Sequence, residues 1–132
     1  MTTEAEPRWI TKLGVIVLHD MSIATDGGAP GIRDEGLLES ALDRPKNRFY
    51  YEGVTDLPAL AATYAVGLAK NLAFADGNKR AALIAAGLFL EKNGLSLTAT
   101  QADAALTMLA VAAGEIEIDL LADWIRRSVQ PT

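Results

Sequence analysis

The sequence predicts an all-α protein: a single compact helical domain over residues 1–132, with about six helices around a central buried one. Three observations carry that prediction. Apolar residues recur at three- and four-residue spacing between clusters of glycine and proline. Good N-cap residues, Asp34, Asp56 and Thr100, head three of those segments. The run Ala81 to Leu90 is apolar on nearly every face, as expected of a helix enclosed on all sides. Half of the 132 residues are apolar, which is ample for one core of this size.

The elements follow in order. A first helix is expected from Pro7 to about Ala24, with Trp9, Leu13, Ile16 and Val17 at helical spacing. Gly27-Gly28 and Pro30-Gly31 then break the chain. Asp34 caps a second helix, expected to end before Pro45, because proline disfavours helix at the residue before it. Lys46 to Tyr51 is then an irregular, aromatic linker. Asp56 caps a third helix with Leu60, Tyr64, Gly67 and Leu68 on one face. The fourth is the apolar helix after Asp76, stopped at Asn93-Gly94. Leu95 to Thr98 reads as a short extended link. Thr100 and Asp103 resemble a capping box for a fifth helix. A sixth spans Ile118 to about Ser128, with Leu121, Trp124 and Ile125 inward. Trp9 and Trp124 are most simply core or core-edge residues.

The stretch Phe74-Ala75-Asp76-Gly77-Asn78-Lys79-Arg80 carries the most chemistry. Asp76-Gly77 is a turn signal, and glycine lets a ligand approach the backbone closely. The helix that follows starts with unsatisfied N–H groups and a partial positive charge, which attract anions. Two cations opposing the dipole at that end, Lys79 and Arg80, suggest an anion that compensates them. Arg80 suits a bidentate grip on phosphate oxygens and Lys79 a point charge. Asp76 suits Mg²⁺, which takes one or two carboxylates plus substrate phosphates. Asn78 either bonds a phosphate or locks the turn, and Phe74 reads as a core plug that fixes the loop. The same residues also suit an ordinary capped helix with a solvated basic first turn.

On these residues the chain resembles the Fic/Doc family, and within it the death-on-curing (Doc) toxin branch. The family pattern is His-Pro-Phe-x-Asp-Gly-Asn-Lys-Arg, and residues 72–80 match it from Phe74 onward. The likeness extends to Leu18-His19-Asp20, Gly27 to Asp34, Gly36 to Leu42, Tyr51-Glu52-Gly53 and Leu88 to Gly94, roughly residues 13–98. The resemblance implies a nucleotide-dependent transferase using ATP and Mg²⁺. Most Fic enzymes transfer AMP. The Doc branch has Lys where AMP-transferring members have a second Gly, and this chain has Lys79. In that branch the nucleotide is reversed, so that the γ-phosphoryl faces the acceptor. The resemblance further implies a kinase of elongation factor Tu, arrest of translation, and a small antitoxin partner. By position, Asp76 is the metal ligand, and Gly77, Asn78, Lys79 and Arg80 bind the nucleotide. Arg48, Phe49, Tyr50 and Tyr51, within Lys46 to Tyr51, form a flap that positions the protein substrate.

Leu72 stands where the family has its general-base histidine, and Ala73 where it has proline. Leucine has no lone pair and takes no proton. The expected protein is therefore a Doc-like toxin with impaired catalysis. The alternatives are a non-catalytic nucleotide- or antitoxin-binding protein of the same fold, or an AMP transferase using another base. The single histidine, His19, precedes the turn by a predicted helix pair, so nothing in the sequence places it at the site. It reads as a structural hydrogen bonder.

Composition bounds the rest. Net charge is −5, which disfavours broad binding to nucleic-acid backbone, so Lys79-Arg80 is a local basic spot suited to a small anion. The absence of cysteine excludes disulfides and thiolate metal sites and suits the cytoplasm. No apolar run reaches membrane length. Met1 to Glu6 is acidic and polar, unlike a secretory signal.

Overall fold

Residues 5–132 are described by the computed structural model, so the first four positions of the acidic Met1 to Glu6 stretch lie outside the described residues. Six helices carry the described chain: α1 (Lys12–Asp26), α2 (Glu35–Glu52), α3 (Leu57–Asn71), α4 (Asn78–Lys92), α5 (Gln101–Ala112) and α6 (Ile118–Arg127). Two three-residue strands, β1 (Leu95–Leu97) and β2 (Val129–Pro131), pair antiparallel with Ser96 opposite Gln130. The fold class is all-α, as expected.

The expected caps are present. Asp34 accepts from the Leu37 N–H at 3.0 Å, and Asp56 accepts from Ala59 at 3.0 Å. Thr100 accepts from the Asp103 N–H at 3.1 Å. The Asp103 carboxylate takes the Trp124 indole N–H at 3.1 Å, so it ties α5 to α6 instead of closing a capping box. Each such cap satisfies one orphan donor and is worth about 1 kcal/mol.

Two expectations are corrected. First, α1 starts at Lys12 rather than Pro7, because the Thr11 hydroxyl caps the Gly14 N–H at 3.0 Å. Its inward face is Val15, His19 and Ile23, leaving Leu13 and Val17 exposed. Second, α2 runs through Pro45 to Glu52. An interior proline costs a helix about 3 kcal/mol, so packing beyond it must offset that cost. Pro45 itself is buried, Arg48 donates to the Thr63 hydroxyl at 2.7 Å, and Phe49 meets Trp9 edge-on at 5.7 Å. The supposed linker from Lys46 to Tyr51 is therefore helix, closed by Gly53 in the left-handed conformation. The buried α4 is central as expected, and α3 shares the centre with it. The α4 helix buries Leu83, Ile84 and Leu88 only in part, whereas α3 packs against α2, α4, α5 and α6 and buries Leu60, Tyr64 and Leu68 completely. Alanines on both α3 (Ala61, Ala62, Ala65) and α4 (Ala81, Ala82, Ala85) are fully buried. Such small side chains let helix axes approach closely.

Trp9 stacks on Phe89 at 5.8 Å and sits at the core edge. The C-terminal strand was not anticipated; it gives the Leu95–Leu97 link its partner.

Candidate functional site

The site is the loop between α3 and α4. It begins at Leu72, which caps α3 in the left-handed conformation (φ 57°, ψ 43°). Leu72 is the only non-glycine residue of positive φ among those described. That conformation costs a residue with a side chain about 1–2 kcal/mol, so neighbouring bonds must impose it. Arg33 supplies one of them, donating from Nε to the Leu72 carbonyl at 2.7 Å. The Arg33 and Asp34 N–H groups both reach the Ala73 carbonyl, at 2.8 and 2.9 Å, and Ala75 donates to Gly31 at 3.0 Å. The Asn71 side chain anchors the entry, donating to the Leu37 carbonyl at 2.8 Å and accepting from Ala73 at 3.2 Å. The segment Gly27 to Asp34 thus braces the loop from outside.

The turn is locked from inside. Asn78 closes a ring on Phe74: its Oδ1 accepts the Phe74 N–H at 3.0 Å and its Nδ2 donates to the Phe74 carbonyl at 3.1 Å. Of the two roles left open for Asn78, its side chain takes the structural one. Phe74 is buried as the expected plug, and its ring stacks on His19 with centroids 3.9 Å apart. His19 Nε2 lies 2.8 Å from the Asp76 carbonyl. A carbonyl only accepts, so Nε2 carries the proton, and Nδ1 is left buried without a partner. His19 is thus at the turn after all. No sequence signal showed this, because α1 returns to the loop only through tertiary packing.

The charged residues are held as firmly. Asp76 accepts from the Ala29 N–H at 3.1 Å and the Gly77 N–H at 2.8 Å. Those two bonds, then the nearby Arg80, hold its carboxyl below the ordinary carboxylate range. Arg80 donates to the Gly27 carbonyl at 2.8 Å and the Ser22 carbonyl at 3.3 Å, so it also closes the end of α1. Gly28 permits this approach: a Cβ there would come within 2.8 Å of Asp76 Oδ2 and 2.9 Å of Arg80 Nη2. Gly77 takes the left-handed conformation (φ 72°) as N-cap of α4 and makes no side-chain cap bond. The first N–H groups of α4 therefore have no side-chain cap.

These residues line a cleft of about 490 Å³. Leu72, Asp76, Gly77, Asn78, Lys79 and Arg80, all expected at the site, come together in its wall. Lys70, in the last turn of α3, and Ala112, at the end of α5, also line it; neither was anticipated. Lys70 lies outside the motif, and only the close of α3 brings it round. Arg48, Phe49, Tyr50 and Tyr51 do not line the cleft. Arg48 is half-buried against α3, while Tyr51 is exposed on the last turn of α2. No group of three or more His, Cys, Asp or Glu residues forms a metal cage among the described residues. Asp76 is a lone ionised carboxylate beside a phosphate-suited turn, a donor set that fits Mg²⁺ shared with substrate phosphates.

The fold and site define a helical domain in which α4 starts at a glycine cap beside Asp76, Lys79 and Arg80. Residues 9–90 match the Fic/DOC family, and the chain belongs to that family. It is 42% identical over 120 residues to a protein kinase Doc of Escherichia phage P1, covering 91% of this chain and 94% of that protein. It is also 46% identical over 76 residues to a toxin Doc of Mycolicibacterium smegmatis, covering 55% of this chain and 57% of that one. No helix among the described residues is long and apolar enough to cross a membrane.

Proposed function

We propose that this protein is a Doc-type toxin of a toxin–antitoxin module, a kinase by descent whose phosphoryl transfer is attenuated because position 72 carries no base. The observation that carries this reading is the composition of the cleft. Leu72, about half exposed, lines it together with Asp76, Lys79 and Arg80. The relatives named protein kinase Doc and toxin Doc support the class.

In this reading the cleft takes ATP. The free N–H groups at the start of α4, with Lys79 and Arg80, bind the phosphates and offset their charge. Asp76 would hold Mg²⁺, which supplies charge neutralisation at the transferring phosphoryl. The acceptor hydroxyl, on a translation factor such as elongation factor Tu, approaches beside residue 72. A histidine there would take the hydroxyl proton, and Leu72 does not. Loss of a general base typically costs about 10²–10⁴-fold in rate, or roughly 3–5 kcal/mol of barrier. Positioning and electrostatics supply most of phosphoryl-transfer catalysis, so slow transfer survives. A small antitoxin protein is the expected partner. With its anchors in place, the protein also acts by occupancy, holding nucleotide or antitoxin without turnover.

The test is transfer to purified elongation factor Tu, with ATP labelled separately at the α and γ phosphates. The native protein and Leu72→His are run side by side. The expected result is γ-label transfer at least about 10²-fold faster in Leu72→His. Equal, rapid transfer by the native protein overturns the attenuation. α-Label transfer makes it an AMP transferase. No transfer by either leaves occupancy as the function.

A further inference from the structure

We propose that the apolar pocket at the α4–α5 junction is the subsite for the nucleobase, and that it discriminates little between adenine and guanine. This assignment rests on the nucleotide reading of the cleft given above.

A cavity of about 200 Å³ is lined by Lys79, Arg80, Leu83, Ala105 and Met108. It shares Lys79 and Arg80 with the phosphate cleft. Its walls continue those of the cleft. On α5, Ala105, Met108 and Ala112 fall at i, i+3 and i+7, one helical face. Ala112 lines the cleft, while Ala105 and Met108 line the apolar pocket, about 10 Å further along α5 at its 1.5 Å rise. On α4, Leu83 lies one turn beyond Lys79. The order along this trough is Leu72, the phosphate anchors, then the apolar pocket. Together the two cavities fall within the range of about 300–1,000 Å³ usual for small-molecule sites. A nucleoside triphosphate has this layout, with a polar, multiply charged end and a flat apolar one.

The order places the terminal phosphoryl nearest residue 72, in keeping with the kinase reading. The pocket's chemistry adds something further. Leu83, Ala105 and Met108 offer no hydrogen-bond acceptor, and the backbone carbonyls of these mid-helix stretches are used within α4 and α5. Lys79 and Arg80 only donate. Nothing here accepts the amino group that adenine presents or reads the different edge of guanine. Sites that hydrogen-bond a substrate group reject analogues lacking it by about 10⁴–10⁵-fold, whereas apolar pockets discriminate by only about 10–200-fold on size. Area alone favours purines over pyrimidines and leaves the two purines nearly equal.

The test is calorimetric titration of the full chain with Mg²⁺ complexes of ATP, GTP, CTP and inorganic tripolyphosphate. Native protein is compared with Ala105→Phe, which fills the pocket from its exposed rim, and Leu83→Ala, which strips its wall; thermal melts confirm that both fold. The native protein is expected to bind ATP and GTP within about fivefold of each other, and each at least about tenfold more tightly than tripolyphosphate, with CTP between. Ala105→Phe is expected to erase the advantage of ATP over tripolyphosphate without weakening tripolyphosphate, and Leu83→Ala to reduce it. Tripolyphosphate binding as tightly as ATP, or an ATP affinity unmoved by Ala105→Phe, overturns the base subsite and leaves the phosphate site standing. A preference of about 100-fold between ATP and GTP overturns the claim of weak discrimination. Failure of all four ligands to bind overturns the nucleotide reading itself, and this assignment with it.

Discussion

Residues 76–80 and the pair Leu72-Ala73 share one loop, yet they are held by different means. The later group is fixed through its side chains. Asn78 ties to both polar groups of Phe74, Asp76 to two N–H groups, and Arg80 to two carbonyls of the α1 end. The earlier group is fixed through its backbone. The Leu72 and Ala73 carbonyls carry the bonds to Arg33 and Asp34, and no side-chain atom of Leu72 contributes. The scaffold at 72 therefore rests on its backbone, while the turn depends on the side chains of Asp76, Asn78 and Arg80. On the proposed reading, a family fold keeps its phosphate site and loses its base in this way.

The largest effect expected to sharpen the contrast is Leu72→His. The side chain lines the cleft and is half-exposed, so a histidine needs no repacking. Activity is expected to rise by about 10²–10⁴-fold with a melting temperature within a few degrees of the native value. A large fall in melting temperature would show that position 72 is structural after all.

Next comes His19→Ala, the converse case. It removes a fully buried ring stacked on Phe74 and the bond to the Asp76 carbonyl. A buried truncation that also orphans a carbonyl is expected to cost about 2–4 kcal/mol, measured by urea denaturation. Phosphate-ligand affinity should fall as the turn loosens. If stability drops but affinity in the folded fraction is unchanged, the turn holds without its α1 brace.

The difference between these two residues also marks how far the sequence was legible. Much that is local was readable: the turn, and the caps at Asp34, Asp56 and Thr100. What depended on tertiary packing was not. His19 reaches Asp76 across 57 positions and Arg80 reaches Ser22 across 58, and no periodicity encodes such bonds. Pro45 misled for the same reason. Its local signal to stop was outweighed by Arg48 and Phe49, which dock on α3 and Trp9. The aromatic Lys46 to Tyr51 stretch then became a final helical turn whose Tyr50 and Tyr51 face outward.

A smaller effect isolates the backbone at 72. Asparagine accepts the left-handed conformation more readily than leucine. Leu72→Asn is therefore expected to stabilise the fold by about 0.5–1 kcal/mol without restoring transfer. Destabilisation would mean that the exposed leucine packs usefully against the cleft, and the two halves of the loop would be more alike than their bonds suggest.

The smallest effect concerns pH. The Asp76 carboxyl is held below its ordinary value, first by the Ala29 and Gly77 N–H groups and then by Arg80. A carboxyl depressed in the folded state contributes stability that is fully present above its unfolded value, about 3.9, and lost as pH falls through the lower folded value. Between neutrality and about pH 5, then, the stability difference between native protein and Asp76→Asn should be constant. Below about pH 4 it should shrink as the native carboxyl protonates. Because Asp76 is open to solvent, the change is expected to be modest and weaker in salt. Urea denaturation of both proteins at stepped pH reads it directly. A difference that changes already between about pH 7 and 5 would mean that the carboxyl titrates above its ordinary range, and that the two N–H bonds do not hold it.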